Sequence, residues 1–206
     1  MRRLLIESHF LPSIEFFALL QGYDDIQIEA HEHFEKQSYR NRCYILTVHG
    51  VQRLTIPLSR RHGKMPITSV KIDNEVRWQA NMWRTLESAY ANSPFFEHYR
   101  VDLYRVLHSG ERFLFMLNQQ ILSLCLKWLG STKTISVSAS YDAEAGRDDL
   151  RNVILVKEPF TSRTFLRPVP YHQVFGSTFV PNLSILDLLC SVGPEAGQVL
   201  GSVSTR

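Results

Sequence analysis

Two arginines one residue apart are the side chains of this sequence best suited to binding chemistry. They are Arg40 and Arg42, within the stretch Lys36–Ile45 that reads Lys-Gln-Ser-Tyr-Arg-Asn-Arg-Cys-Tyr-Ile. If the chain is extended from Tyr39 onwards, both guanidiniums project to one side and Asn41 to the other. Paired guanidiniums form a forked array of donors that suits a phosphate or a carboxylate. The pattern indicates an anion-binding site, and the alternative is an edge strand whose charges prevent aggregation.

His9 is the candidate acid or base. It follows the apolar stretch Arg2–Glu7 and stands three residues before Pro12. A histidine at the end of a strand can donate a hydrogen bond to a phosphate or act as a general base. Some nucleotidyl-transferring folds place a histidine in such a loop, although their second histidine, at the start of the helix, is missing here. The alternative is a loop histidine that hydrogen-bonds to the backbone.

Two further patterns contain residue types that bind metals or act as nucleophiles, but their spacing does not predict a site. His31 and His33 share one side of an extended segment, but the sequence places no third ligand beside them, so no metal site is predicted. Cys43 adjoins Arg42, and a nearby cation can activate a thiol as an acyl acceptor. Because Cys43 shares its side of the strand with Asn41, a buried thiol is the favoured interpretation.

A basic loop after this region has two interpretations. It contains Arg60, Arg61, His62 and Lys64, and Gly63 gives it flexibility. The loop is either a lid that closes over a phosphate or a solvated surface loop.

A later helical pattern carries aromatic residues that can stack on a sugar or a base. Trp78 belongs to the apolar stripe of this pattern and is expected in the core. Trp83 and Arg84 lie off the main stripe, so both are candidate substrate contacts.

Ser184 and Asp187 suggest a catalytic triad with His172. Ser184 also follows Pro181-Asn182 at a helix start, where Ser-x-x-Asp is the pattern of a capping box. The cap is the favoured interpretation.

The N-terminal pattern predicts the unit that positions His9. Its elements are a strand over Arg2–Glu7, a helix over Ser13–Gln21 that ends at Gly22, and a strand over Ile26–Ala30. Such a βαβ unit normally has parallel strands, and its ligands gather at the carboxyl ends of those strands. Here those ends are Ser8–Phe10 and His31–His33.

The rest of the sequence predicts a β-hairpin followed mainly by helices. The hairpin has arms Tyr44–Val48 and Val51–Leu58 around His49-Gly50. Further strands are predicted over Ile67–Ile72, Thr134–Ala139 and Tyr171–Phe175, with an exposed connection over Asp142–Asp149. Helices are predicted over Glu75–Ala91, capped by Asp73 or Asn74, from Ser93-Pro94, over Phe113–Leu129 and after Pro181-Asn182. A common buried helical layer should contain Trp78, Met82, Leu86, Phe115, Leu122 and Leu126.

The predicted fold is therefore α/β, with an N-terminal Rossmann-like βαβ sheet, a hairpin and a mainly helical second half. One domain is expected over residues 1–200, with a C-terminal tail over 201–206, and the last ten residues are expected to be loosely held.

Composition narrows the class of protein. With 44% hydrophobic residues in 206, the chain can bury a large core, and a net charge of +3 is too small for a protein that coats nucleic acid. The N-terminus lacks the apolar core of a signal peptide, and no apolar run is long enough to span a membrane. Three cysteines without paired or metal-like spacing favour a reducing compartment, so the expected location is the cytoplasm.

Several stretches resemble the WbqC-like family of bacterial proteins. They are Leu11–Phe17, Lys36–Cys43, Leu54–Pro57, Trp83–Tyr90, Ser93–Phe96, Pro181–Leu189 and Gly193–Glu195. The resemblance spans nearly the whole chain, and its most specific part is Tyr-Arg-Asn-Arg at residues 39–42. The final stretches look most like the Bacteroides branch, although Cys190 stands where an aromatic residue is expected.

The resemblance implies a setting in bacterial surface-polysaccharide and O-antigen biosynthesis. In that setting we expect a transferase that modifies a nucleotide-linked amino sugar, for example with an amino-acid-derived acyl group. The alternative is a non-catalytic module of the same pathway that binds a sugar nucleotide or a partner. The expected ligand is an anionic small molecule rather than nucleic acid, homo-oligomers are compatible with the sequence, and no cofactor is specified.

The hypothesis assigns roles to eight residues. His9 is the acid or base, and the substrate-binding residues are Arg40, Arg42, Asn41, Lys36, Tyr39, Trp83 and Arg84.

Overall fold

A four-stranded parallel sheet and a two-stranded antiparallel hairpin organise the fold, which is described here from a computed structural model. The structure describes residues 2–59, 64–141 and 146–203. The strands are β1 (Arg3–Ile6), β2 (Asp25–Ile28), β3 (Arg42–Thr47), β4 (Gly50–Thr55), β5 (Thr134–Val137) and β6 (Asp148–Asp149). The helices are α1 (Ile14–Gln21), α2 (Trp78–Tyr90), α3 (Phe96–Leu107), α4 (Leu114–Trp128), α5 (Ile185–Val192) and α6 (Ala196–Val203). The predicted α/β class with a mainly helical second half is confirmed.

The parallel sheet combines strands from both halves of the chain in the order β5-β2-β1-β6. Leu4 pairs with Ile26, so β1 and β2 are parallel neighbours, which confirms the βαβ prediction. β5 extends the sheet beside β2, and β6 extends it beside β1. The connection predicted over Asp142–Asp149 differs at its end, where Asp148 and Asp149 form the edge strand β6. Residues 142–145 lie outside the described part of the chain.

The loop before α1 is fixed at both ends by hydrogen bonds. The Ser13 hydroxyl accepts a hydrogen bond from the N–H of Phe16 (3.3 Å) and caps the helix. On the other side of this loop, Ser184 donates from its hydroxyl to the carbonyl of Leu11 (3.0 Å). α1 packs against α5 and α6, and its residues from Ile14 to Leu20 are all buried. The segment that carries His9 is therefore held between β1 and a buried helix.

The extended segment predicted from Tyr39 onwards starts later than expected. β3 begins at Arg42, and residues 39–41 lie in a turn before it rather than in an extended strand. Arg40 lies in this turn and Arg42 lies in the strand. The alternation of side chains along a strand, from which both guanidiniums were expected on one side, therefore does not apply to this pair. The reversal uses Val48 and His49, and Gly50 opens β4 with a φ of 92°, a conformation that favours glycine.

The predicted helical layer is buried in one core cluster. Its members are Trp78, Met82, Leu86, Phe115, Leu122 and Leu126, which confirms the assignment of the helical faces. α2 starts at Trp78 rather than at Glu75, because the Asp73 carboxylate accepts from the N–H of Glu75 (3.2 Å) and forms a turn there. The predicted caps at Asp73 or Asn74 are therefore wrong.

Three other local predictions are wrong. Residues Ile67–Ser69 form a short 3-10 helix within the strand predicted over Ile67–Ile72. Residues 171–175 form no strand. Of the last ten residues, which were expected to be loosely held, those up to Val203 belong to the helix α6, in which Leu200 is completely buried, and residues 204–206 lie outside the described part of the chain. No helix among the described residues is both long and apolar enough to cross a membrane.

Candidate functional site

Buried polar side chains collect at the carboxyl ends of the parallel strands. Glu7 follows β1, Glu29 follows β2, Ser138 follows β5, and Arg151 and Asn152 come shortly after β6. The two glutamates are each at most 1% exposed. Because a buried carboxylate is unfavourable unless it is hydrogen-bonded and paired, the partners of these groups define the site. We call this set the carboxyl-edge network, and it also includes His9, Glu32 and Arg40.

Glu7 and His9 form a buried pair next to β1. His9 Nε2 lies 3.0 Å from Glu7 Oε1, and the backbone N–H of Asn152 donates to Glu7 Oε2 at 2.9 Å. Burial raises the pKa of Glu7, but the hydrogen bond from His9 and the charge of Arg40 outweigh it, so this pKa lies below its usual value. Glu7 is therefore an ionised acceptor that fixes the orientation of the imidazole.

The second ring nitrogen of His9, Nδ1, is buried and has no hydrogen-bond partner among the described residues. The ring lies between two aromatic rings, with centroids 4.8 Å from Phe16 and 5.3 Å from Tyr39. Tyr39 stacks on the imidazole at an interplanar angle of 28° and is itself partly exposed. Burial raises the pKa of the Tyr39 hydroxyl to about 12, which keeps this ring neutral.

Arg40 binds a carboxylate of the protein itself. Its Nε donates to Glu32 Oε1 at 2.7 Å, one of its terminal nitrogens bonds the other Glu32 oxygen, and the same nitrogen donates to Asn152 Oδ1 at 2.7 Å. Burial lowers the pKa of Arg40, but the hydrogen bonds and charge of Glu32 outweigh burial and raise it. At 1% exposure, Arg40 is a buried member of the network. The structure thus does not pair it with Arg42 around one external anion.

Asn152 joins the two halves of the network. Its N–H donates to Glu7 and its side-chain oxygen accepts from Arg40. Its φ is 59°, a left-handed conformation that asparagine tolerates better than most residues. Sequence reasoning missed this residue, because no local pattern connects it with partners more than a hundred positions earlier in the chain.

Glu29 is the centre of a second cluster at the same sheet edge. Its Oε1 accepts from the Ser138 hydroxyl (2.8 Å) and from the N–H of His31 (2.7 Å), and its Oε2 pairs with Arg151 at 2.7 Å. Arg151 also pairs with Asp149 at 2.6 Å. Sequence reasoning missed this cluster as well, since the acidic connection before residue 150 looked like exposed chain.

The other predicted anion-binding residues lie around the start of the hairpin. Arg42 is half-buried, forms no ion pair within the described ranges, and its Nε has no hydrogen-bond partner there. The Asn41 amide donates to the carbonyl of Ile56 at 2.9 Å, so it holds the hairpin in place. Lys36 is exposed. Arg42 and Lys36 are therefore the cations of this segment that remain available to a ligand.

Trp83 and Arg84 occupy different environments. Trp83 is 9% exposed and packs its ring against Phe96 and Tyr104 at 6.0 and 5.0 Å, so its expected position off the apolar stripe is wrong. The buried face of α2 is wider than the stripe, because α3 packs beside it. Arg84 is exposed on α2.

The remaining chemical patterns are placed as follows. Burial raises the pKa of the Cys43 thiol far above its usual value, which opposes an acyl-acceptor role. His31 and His33 are exposed, and no group of three or more metal-ligating residues occurs among the described residues. The loop Arg60–Gly63 lies outside the described residues, and Lys64 is exposed.

The Ser184 and Asp187 pair is structural. Ser184 is the N-cap of α5 and accepts from the N–H of Leu186 at 3.4 Å, as the capping interpretation predicted. Asp187 accepts instead from the Tyr171 hydroxyl (2.7 Å) and the Gln173 amide (2.8 Å). Burial raises the pKa of Asp187 more than these hydrogen bonds lower it.

Comparison with known proteins assigns the chain to a family. A family model described as "WbqC-like protein family" matches residues 7–168. The chain is also 26% identical over 225 residues to a protein of Mycobacterium tuberculosis (strain ATCC 25618 / H37Rv) described as "Uncharacterized protein Rv1507c", with 95% of this chain and 96% of that protein covered. No solved structure matches significantly. Because the family model covers most of the chain, including His9 and the whole hairpin, the chain belongs to the WbqC-like protein family.

Proposed function

We propose that this protein is a cytoplasmic transferase of bacterial surface-glycan biosynthesis that adds an acyl group to a nucleotide-linked amino sugar. The proposal combines the setting implied by the family with the chemistry of the carboxyl-edge network. The observation that carries it is the state of His9, whose Nε2 is held by Glu7 while its Nδ1 is buried without a hydrogen-bond partner among the described residues.

This arrangement suits a general base. An ionised Glu7 accepts a hydrogen bond from Nε2–H, so the proton of the neutral imidazole stays on Nε2 and Nδ1 keeps a free lone pair. The amine of the sugar attacks the carbonyl carbon of an activated acyl donor, the leaving group departs with its bonding electrons, and Nδ1 accepts the proton that the amine loses. A buried nitrogen without a partner is unfavourable in a folded protein, so a ligand that hydrogen-bonds to it also relieves that cost.

The surroundings of His9 supply the remaining requirements. Tyr39 offers a partly exposed aromatic face beside the imidazole, which suits stacking on a sugar ring. Arg42 and Lys36 are the proposed contacts for anionic groups of the substrates, with Arg84 as a further cation on α2. Arg40, Asn41 and Trp83 enter the proposal as residues that hold these elements in position.

Turnover by purified protein tests the proposal. Nucleotide-linked sugars that carry a free amine are incubated with coenzyme A thioesters or acyl phosphates, and acylated products are detected by mass spectrometry. We expect the His9→Gln variant to lose about 10²–10⁴-fold in rate, the range typical of a general base. Glu7→Gln should lose activity as well, because a neutral amide orients the imidazole less firmly.

Matched controls separate catalysis from folding and binding. His98→Gln changes an exposed histidine on α3 and should leave both rate and melting temperature unchanged. Binding of the sugar nucleotide without turnover of any acyl donor would favour the alternative, a non-catalytic sugar-nucleotide module. Full activity of His9→Gln would show that His9 is not the base.

A further inference from the structure

A cavity of about 320 Å³ lies between β4 and the start of α2. Arg53 lines it from β4, and Arg77 lines it from the position just before α2. Both side chains are exposed, and neither makes an ion pair or side-chain hydrogen bond in the part of the chain that the structure describes. No carboxylate belongs to the described lining of the cavity. Two cations therefore share one concave surface without a counter-ion from the protein.

The rest of the lining shows what kind of anion fits. Trp78 and Met82 give the cavity an apolar floor, and both are largely buried and so held in place. Thr55 and Asn81 add a hydroxyl and an amide at the exposed rim. Apolar walls with a few polar groups are typical of small-molecule sites of this size. A nucleoside diphosphate offers phosphates to the arginines and a flat base to the apolar floor, whereas inorganic phosphate uses only the charges.

The register of the hairpin connects this cavity with His9. Arg53 pairs with Tyr44, so the two side chains lie on the same face of the hairpin. The Tyr44 ring meets the Tyr39 ring at 6.0 Å, and Tyr39 stacks on His9. Arg42 pairs with Thr55 and belongs to this same face. A single surface thus runs from the cavity, past two arginines, to the ring that stacks on His9.

We propose that the cavity binds the nucleoside diphosphate part of the substrate, with the phosphates at Arg53 and Arg77 and the sugar directed along the hairpin face towards His9. The position of the sugar rests on the proposed function, whereas the site for the diphosphate rests on the cavity and its arginines.

Titration calorimetry with UDP, which lacks the sugar, tests the site directly. Arg53→Gln and Arg77→Gln should each weaken UDP binding about tenfold, because each removes a charged donor. A double variant carries both Arg53→Gln and Arg77→Gln. Added salt should weaken UDP binding to the wild-type protein more than UDP binding to this double variant, since the contacts with the arginines are exposed to solvent. Both variants should melt at the wild-type temperature, because neither arginine supports the core.

The controls distinguish failure of this inference from failure of the proposed function. Arg167→Gln removes another exposed arginine that lies outside the cavity and should bind UDP normally. His9→Gln should also bind UDP normally while losing turnover. Unchanged UDP affinity in both cavity variants, or no UDP binding by the wild type, would overturn the inference, and His9-dependent turnover would leave the proposed function intact. Equal affinity for inorganic diphosphate and UDP would overturn the role of the apolar floor.

Discussion

Two groups of arginines in this protein have opposite surroundings. In the carboxyl-edge network, Arg40 is 1% exposed and its guanidinium contacts both Glu32 and Asn152. On the hairpin face and beside it, Arg42, Arg53 and Arg77 reach solvent and form no ion pair within the described residues. Arg40 is thus paired with a carboxylate of the protein, whereas Arg42, Arg53 and Arg77 have no such partner among the described residues.

This difference distinguishes arginines that stabilise the fold from arginines that are available to bind a ligand. A buried charge whose partner is removed destabilises the protein strongly, whereas an exposed charge contributes little to stability and remains free to meet a ligand. The most specific part of the family resemblance, Tyr-Arg-Asn-Arg, contains one arginine of each kind. Within this motif, Arg40 thus supports the fold, and Arg42 is the arginine that we propose as a ligand contact.

The largest expected effect is on stability and comes from Arg40. Arg40→Met keeps much of the side-chain volume but leaves the buried carboxylate of Glu32 without its partner, which should lower the free energy of unfolding by about 3–5 kcal/mol. Chemical denaturation measures this loss. The earlier interpretation of Arg40 as a ligand clamp predicts the reverse, namely normal stability with lost binding, so an unchanged denaturation midpoint would restore that interpretation.

A double variant sharpens the same test. Replacing both partners, in Glu32→Leu with Arg40→Met, removes the unpaired charge along with the pair, so it should be more stable than the Arg40→Met single variant. If the double variant is as unstable as the single one, the hydrogen bond from Arg40 to Asn152 rather than the ion pair sets the cost.

An intermediate effect is expected from pH at Glu7. Its pKa in the folded protein lies below its usual value of 4.5, so the unfolded chain binds the proton more readily. This contribution to stability is therefore complete above the unfolded pKa and is lost as the pH falls through the folded pKa. Denaturation curves between about pH 5 and pH 2 should show a less steep loss for Glu7→Gln than for the wild type.

A matched carboxylate controls for general acid denaturation. Glu97 is exposed on α3, and Glu97→Gln should leave the slope in this range close to that of the wild type. Parallel slopes for Glu7→Gln and the wild type would mean that the folded environment does not favour the ionised form of Glu7.

The smallest expected effect on stability comes from Arg42. Because it is half-buried and forms no ion pair in the described ranges, Arg42→Gln should change the free energy of unfolding by no more than about 0.5 kcal/mol. The same variant should bind a nucleotide-linked sugar more weakly in calorimetry, while Arg167→Gln should not. A large loss of stability would show that Arg42 supports the fold as Arg40 does, and the distinction between the two groups of arginines would then fail.

The sequence predicted the parts of the fold that depend on neighbouring residues. β1, α1 and β2 follow from short apolar runs, a helical spacing of apolar residues and a glycine stop, so their order and parallel pairing could be inferred. The apolar stretch Ile67–Ile72 has no clear period of its own, and tertiary contacts fold part of it into a 3-10 helix.

The candidate site was only partly predictable, for a related reason. His9 could be placed because it follows a predicted strand. Its partner Glu7 is two residues away but was counted as part of that strand, and Asn152 arrives from 145 positions later. Arg40 was misassigned because the strand was started at Tyr39, three residues too early, and alternation was then applied to a turn.

The position of β6 at the edge of the sheet has a consequence for synthesis of the chain. β1 has residues 148–149 as its neighbour on one side, and Glu7 and Arg40 precede their shared partner Asn152 by 145 and 112 residues. At about 5–20 residues per second, the ribosome reaches Asn152 roughly 6–30 s after it has made either residue. Until then, Glu7 has only His9 and Arg40 only Glu32 as its side-chain partner in the network. The complete carboxyl-edge network is therefore a late product of synthesis, although these two pairs can form before Asn152 is made.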